Sequence, residues 1–187
     1  MKVTLLGDSI RLLGYGKRVT EILGEDFEVF QPEDNCRFAK YTARGVWADW
    51  KHEMLGSKII HWNNGLWDVH EILDGKPFCT YEEYERDMLT VLEGLKKITD
   101  NIIFATTTPV LLGCEISNSR IEEYNSRIVP VLKAHGVVIN DLHSFVKPNA
   151  NDFLRQDDSV HLTDVGIEAC AQKVAKSIVE MAEKIKK

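Results

Sequence analysis

The sequence predicts an α/β protein in which a five-stranded parallel sheet carries helices on both faces. Short apolar runs alternate along the chain with longer stretches of helical periodicity, and parallel strands need crossover connections that are usually helical. Glycines also fall where helices should stop and strands begin. Gly24, Gly56 and Gly136 all occupy such positions, which suit a left-handed C-cap.

In chain order, residues 3–6 form the first strand and residues 11–23 the first helix, closed by Gly24. Residues 27–30 are the second strand, and a helix over 43–55 ends at Gly56 and feeds the third strand, 58–62. A helix over 81–98, a strand at 102–106, a helix over 120–134 and a strand at 137–139 continue the alternation before a last helix, 164–185. The irregular stretches 68–80 and 110–119 each follow a strand, and loops at the carboxyl ends of strands are where open α/β sheets place their sites. No repeat, low-complexity tract or linker interrupts the pattern, so residues 1–187 are expected to form one domain.

Composition narrows the function class. A chain of 187 residues, 44% hydrophobic and 28% charged, can bury a core without covalent staples and suggests neither disorder nor a membrane span. A net charge of -6 argues against a nucleic-acid partner, which would call for a basic face. Cys36, Cys79, Cys114 and Cys170 lack the paired spacing of zinc or redox motifs and read as unpaired thiols, with no metal expected. The opening residues enter a strand directly, without the features of a signal peptide, so a reducing, cytoplasmic setting is the expectation.

Three residues could carry chemistry together. Ser9 follows the first strand, where a turn would hold its hydroxyl at the strand's carboxyl end. Asp158 and His161 lie three positions apart just before the last helix, close enough for one tight turn to let the carboxylate orient the imidazole. A serine hydroxyl is a poor nucleophile until a base takes its proton, and the base works best when a third group fixes its tautomer. Each residue also has a plainer reading. Asp8 or Ser9 could cap the first helix, and Asp158 or Thr163 the last. The other histidines sit in helical or strand patterns or lack a comparably spaced carboxylate, and Asp157 is one residue further from His161 than Asp158.

The segment from His61 to Asp68 ends the third strand and places two amides, Asn63 and Asn64, beside Gly65. Such amides can donate to an oxyanion, although an Asn-Gly pair is also a strong turn former. All four tryptophans, Trp47, Trp50, Trp62 and Trp67, flank this loop. Trp50 and Trp62 are expected to pack helix against sheet, leaving Trp67, with Asn64, as the expected substrate contacts.

Gly7-Asp8-Ser9 near the amino terminus, an asparagine-bearing loop after the third strand and Asp158-Ser159-Val160-His161 near the carboxyl terminus resemble the SGNH hydrolases, or GDSL esterase/lipase family, over nearly the whole chain. The resemblance implies a flavodoxin-like three-layer α/β/α sandwich. It implies Ser9 as nucleophile, His161 as general base and then acid, and Asp158 as its orienting partner, with no metal or organic cofactor. An oxyanion hole would combine the Ser9 backbone N–H with the Asn63 side chain. In place of the family's Gly-x-Asn-Asp the chain reads Gly65-Leu66-Trp67-Asp68, so the amide must come from Asn63 or Asn64. The form Asn-x-Gly-Leu-x-Asp, similar to a variant in some bacterial members, favours Asn63. The family's second-block glycine has no counterpart at 35–42, where Ala39 or Lys40, or Gly45 further on, would have to offer the N–H.

The resulting expectation is a serine esterase acting on small acyl esters, acetyl first, since no long apolar lid segment is present. An O-acetylated carbohydrate is the expected substrate class, with simple esters and lysophospholipids as alternatives. Two other classes stay open: a catalytically inactive interaction protein of the same fold, and a flavodoxin-like module that binds an anion or flavin at the first helix's amino terminus.

Overall fold

The computed structural model describes residues 1–186. Its central sheet contains β1 (Lys2–Leu6), β2 (Glu28–Phe30), β3 (Ile59–Trp62), β6 (Ile102–Ala105) and β7 (Val138–Asn140), all parallel, in the order β2-β1-β3-β6-β7. Each of the five strands falls where the apolar runs place it. β1, β3 and β6 lie inside the sheet, and their apolar residues on both faces are wholly buried, as expected when helices cover both sides.

The helices are α1 (Gly16–Leu23), preceded by a π-helical turn (Ile10–Tyr15), α2 (Ala39–Arg44), α3 (Lys51–Met54), α4 (Leu66–Val69), α5 (Tyr81–Lys96), α6 (Asn118–Ala134), α7 (Leu142–Val146), α8 (Ala150–Phe153) and α9 (Asp164–Ile185). First and last helices, α1 and α9, pack together, and α2 packs on α5. The strand order reverses between β1 and β3. That reversal opens a crevice at their carboxyl ends, where ligands bind in sheets of this kind.

Two local differences from the expected pattern have physical causes. The helix expected over 43–55 begins earlier, at Ala39, and is broken into α2, a π-helical turn (Gly45–Asp49) and α3. Its early start is capped from a distance: the Ala39 N–H donates to the Asp68 carboxylate at 3.0 Å, a bond that no local sequence pattern encodes. Within 68–80, expected to be irregular, β4 (Glu71–Leu73) and β5 (Lys76–Pro77) form a small antiparallel hairpin turned at Asp74 and Gly75, both with positive φ. An Asp-Gly pair is the usual signal for such a turn. The short helices α7 and α8 fill the stretch before the histidine loop.

Candidate active site

The site grows from the carboxyl ends of β1 and β3. After Leu6 the chain turns sharply through Gly7, Asp8 and Ser9. Asp8 performs the local capping: its Oδ1 accepts the Ile10 N–H at 2.9 Å, while Ser9 makes no side-chain cap bond. The serine hydroxyl is thus left free for other work, in a residue only 7% exposed.

The turn is locked by a buried guanidinium. Arg11 is fully buried and donates to the backbone carbonyls of Gly7 at 3.1 Å, Pro32 at 2.8 Å and Asp34 at 2.7 Å. Cys36 adds a further tie, its N–H donating to the Gly7 carbonyl at 3.2 Å and its Sγ accepting the Gly7 N–H at 3.3 Å. These bonds join the Gly7–Ser9 turn to the loop after β2. Burial raises the Asp8 carboxyl above its ordinary value, against the opposing pull of the Ile10 N–H, the Asn63 amide, Arg11 and His161.

At the other end of the chain, residues 158–161 form a compact turn with Ser159 at a φ of 63°. Asp158 Oδ1 accepts the N–H groups of Val160 at 2.9 Å and His161 at 2.8 Å, and its Oδ2 lies 3.0 Å from His161 Nδ1. Partial burial tends to raise the Asp158 pKa. The backbone N–H groups of His161 and Val160 and the imidazole outweigh it, and the carboxyl sits at about 2. Asp157 pairs with Arg155 instead. Thr163, not Asp158, caps α9 by accepting the Gly166 N–H at 3.1 Å. The turn is seated by backbone bonds from Arg155 N to the His161 carbonyl and from Leu111 N to the Ser159 carbonyl.

Ser9 and His161 line one pocket of about 300 Å³ together with Leu66, Trp67, His70, Ile116, Asp158 and Val160. His161 Nε2 is shielded from solvent and has no hydrogen-bond partner among the described residues. The imidazole is therefore held by one nitrogen and available through the other. Trp67 is 41% exposed and forms part of the pocket wall, whereas Trp50 and Trp62 are buried in the core.

The two asparagines part company. Asn64 is fully buried, its Oδ1 accepting from the Trp62 indole at 2.6 Å and its Nδ2 donating to the Arg37 carbonyl at 2.9 Å. The expectation that Asn64 contacts substrate is therefore corrected: its amide is engaged at both ends inside the protein. Asn63 continues the pairing of β1 with β3 through its N–H on the Leu6 carbonyl at 3.1 Å, and its Oδ1 accepts the Tyr15 hydroxyl at 3.0 Å. Gly65 must be glycine here, at a φ of 138° and with Thr107 Oγ1 2.2 Å from where a Cβ would stand.

The loop after β2 resolves part of the second-block question. The Ala39 N–H is engaged by Asp68, and the Gly45 N–H by the carbonyls of Tyr41 and Thr42 at the end of α2, so neither is free to serve an oxyanion. Arg37, with a φ of 48°, takes the left-handed backbone that a glycine would ordinarily occupy. Sequence reasoning also missed Arg11, Tyr15, His70 and Ile116 as parts of the site. Arg11 and Tyr15 sit in a helical pattern with nothing local to mark them, because their partners lie on other strands and loops.

No protein-family model matches the sequence, and no curated protein matches it either. Solved structures do match in shape. A lipase/acylhydrolase from Enterococcus faecalis superposes with a TM-score of 0.77 at 19% identity, covering 95% of this chain and 94% of that one. An acetyl xylan esterase, AlAXEase, gives 0.77 at 19% identity over 95% of this chain and all (100%) of its own. A carbohydrate esterase family 3 protein from Talaromyces cellulolyticus gives 0.72 at 20% identity, covering 98% and 99% of the two chains. With its parallel five-stranded sheet and flanking helices, the chain has the fold of these hydrolases, the three-layer arrangement that its motifs resemble.

Proposed function

We propose that this protein is a serine esterase of the SGNH type that hydrolyses small acyl esters, acetyl esters first, through an acyl-enzyme on Ser9. One observation carries the reading: His161 is held through Nδ1 by Asp158 at 3.0 Å and leaves Nε2 unpartnered in the pocket that Ser9 lines. A base oriented on one nitrogen and free on the other is what an unactivated hydroxyl requires.

In this mechanism His161 Nε2 takes the Ser9 proton as Oγ attacks the ester carbonyl carbon. Asp158 stabilises the imidazolium that forms. The Ser9 backbone N–H and the Asn63 amide receive the developing oxyanion, His161 protonates the departing alcohol, and a water activated by the same imidazole releases the acid. Asp158, with its pKa near 2, stays ionised throughout the neutral range. No step calls for a metal or organic cofactor.

The substrate reading rests on pocket size and lining. About 300 Å³ is at the small end for a ligand pocket and suits an acetyl or similarly short acyl group against Leu66, Ile116 and Val160. The half-exposed Trp67 ring at the rim offers a stacking surface for a sugar, which favours an O-acetylated carbohydrate. Acetyl xylan esterases among the structures of like fold point the same way.

The wild-type protein is expected to hydrolyse p-nitrophenyl acetate and to lose activity along a series of longer acyl chains. It should also release acetate from acetylated xylan. Ser9→Ala should lower turnover at least about a thousandfold without altering the melting temperature appreciably. A fluorophosphonate should label the wild type at Ser9. Absence of both turnover and labelling in the folded protein would refute the proposal in favour of a non-catalytic relative.

A further inference from the structure

The Tyr15 hydroxyl is fully buried and donates to Asn63 Oδ1 at 3.0 Å. Tyr15 lies at the end of the turn that follows Ser9, on the helix side, and Asn63 follows β3, so this single bond spans the two edges of the crevice. Its geometry is fixed from two directions. The Tyr15 ring stands edge-on to the buried His61 ring, with centroids 6.0 Å apart at 87°. Gly7 has no side chain, and a Cβ there would lie 1.9 Å from Asn63 Oδ1, so the amide can sit directly against the nucleophile turn. With Oδ1 taken by the Tyr15 hydroxyl, Nδ2 is the end of the amide left to donate.

An asparagine amide has two nearly isosteric ends, and only one of them can donate to an oxyanion. Here the phenol O–H that donates to Oδ1 selects the orientation.

We infer that Tyr15 is a positioning residue for the proposed esterase: its hydroxyl holds Asn63 Oδ1 and leaves Nδ2 as the end that can donate, so that the oxyanion donor is preset before substrate arrives. Preorganised donors stabilise developing charge without reorganising during the reaction. The inference rests on the esterase reading given above. Tyr15 itself does not touch the reacting atoms.

A double-mutant cycle tests it with p-nitrophenyl acetate, each protein being normalised by fluorophosphonate titration of Ser9. Tyr15→Phe keeps the ring and removes the hydroxyl, and should lower kcat about tenfold with KM little changed, the pattern of a lost transition-state interaction. Asn63→Ala should lower kcat about a hundredfold or more. In the Asn63→Ala background, Tyr15→Phe should have no further effect on kcat, which a generally structural role would not produce. Independent, additive losses, or a Tyr15→Phe protein with wild-type kcat, would overturn the inference while leaving the esterase reading in place. A wild-type protein inert to ester and fluorophosphonate alike would remove both. Should Tyr15→Phe fail to fold, a crystal structure of the wild type carrying a phosphonate on Ser9 decides the matter. Asn63 Nδ2 must lie within hydrogen-bond reach of the phosphonyl oxygen while Oδ1 stays on Tyr15, and any other arrangement rejects the proposal.

Discussion

Around Ser9 buried side chains reach far along the chain, and around His161 the orienting side-chain contact is local. Tyr15 reaches Asn63 across 48 positions, Arg11 reaches the Asp34 carbonyl across 23, and all these groups except Asp34 are buried. Asp158 meets His161 across three positions, in a turn whose carboxylate and imidazole are each about one-third exposed. The Ser9 side is thus a piece of the core that opens into the crevice, while the His161 side is a turn on the surface whose side-chain contacts are its own. Damage to the first should appear as lost stability as well as lost activity. Damage to the second should appear almost entirely as lost activity.

Asp158→Asn is the largest expected effect and the sharpest probe of the surface turn. The side chain can still receive the backbone N–H groups, but its amide opposes the Nδ1–H tautomer of His161. Turnover of p-nitrophenyl acetate should fall about a thousandfold, with a thermal melt close to wild type. A large drop in melting temperature would mean that the two turns are not as separate as their contacts suggest.

Arg11→Met probes the opposite side. It takes the guanidinium donor from the Pro32 and Asp34 carbonyls, leaves the Gly7 carbonyl only the Cys36 N–H, and removes a cation next to the buried Asp8. Unfolding in urea should reveal a loss of about 3 kcal/mol, since each buried group left unsatisfied costs about 1–3 kcal/mol. An unchanged midpoint would show that the loop after β2 holds the turn without it.

Asp68→Asn should have the smallest effect, visible mainly as pH dependence. Burial pushes the Asp68 carboxyl up to about 7, despite the Ala39 N–H that favours its charged form. With a folded pKa above the ordinary carboxyl value of 3.8, the folded protein holds a proton that the unfolded chain has released. Its contribution is fully present below that ordinary value and is lost as pH rises through about 7. Wild-type melting temperature should therefore decline from about pH 4 to pH 7 more steeply than that of Asp68→Asn. Parallel profiles would remove Asp68 as the titrating group.

The same contrast explains how much could be read from the sequence. All five strands of the sheet and the last helix, Asp164–Ile185, were legible because apolar period and glycine stops are local signals. The pairing of Asp158 with His161 was legible for the same reason, as a spacing that one turn can close. α2 could not be placed correctly because its cap comes from Asp68, on another loop. The β4–β5 hairpin carried an Asp-Gly signal at residues 74 and 75 that went unread among neighbouring irregular residues.

By itself, then, the sequence determined the order of strands and helices, the place of Ser9 after the first strand and the carboxylate–imidazole turn before the last helix. Only the tertiary structure decided how the two asparagines are engaged. Asn63 and Asn64 are adjacent and chemically identical, so nothing local separates them. One is consumed by Trp62 and the Arg37 carbonyl, and the other is gripped by Tyr15 against Gly7. Those partners come from distant segments, and their distances and directions exist only once the sheet has been assembled.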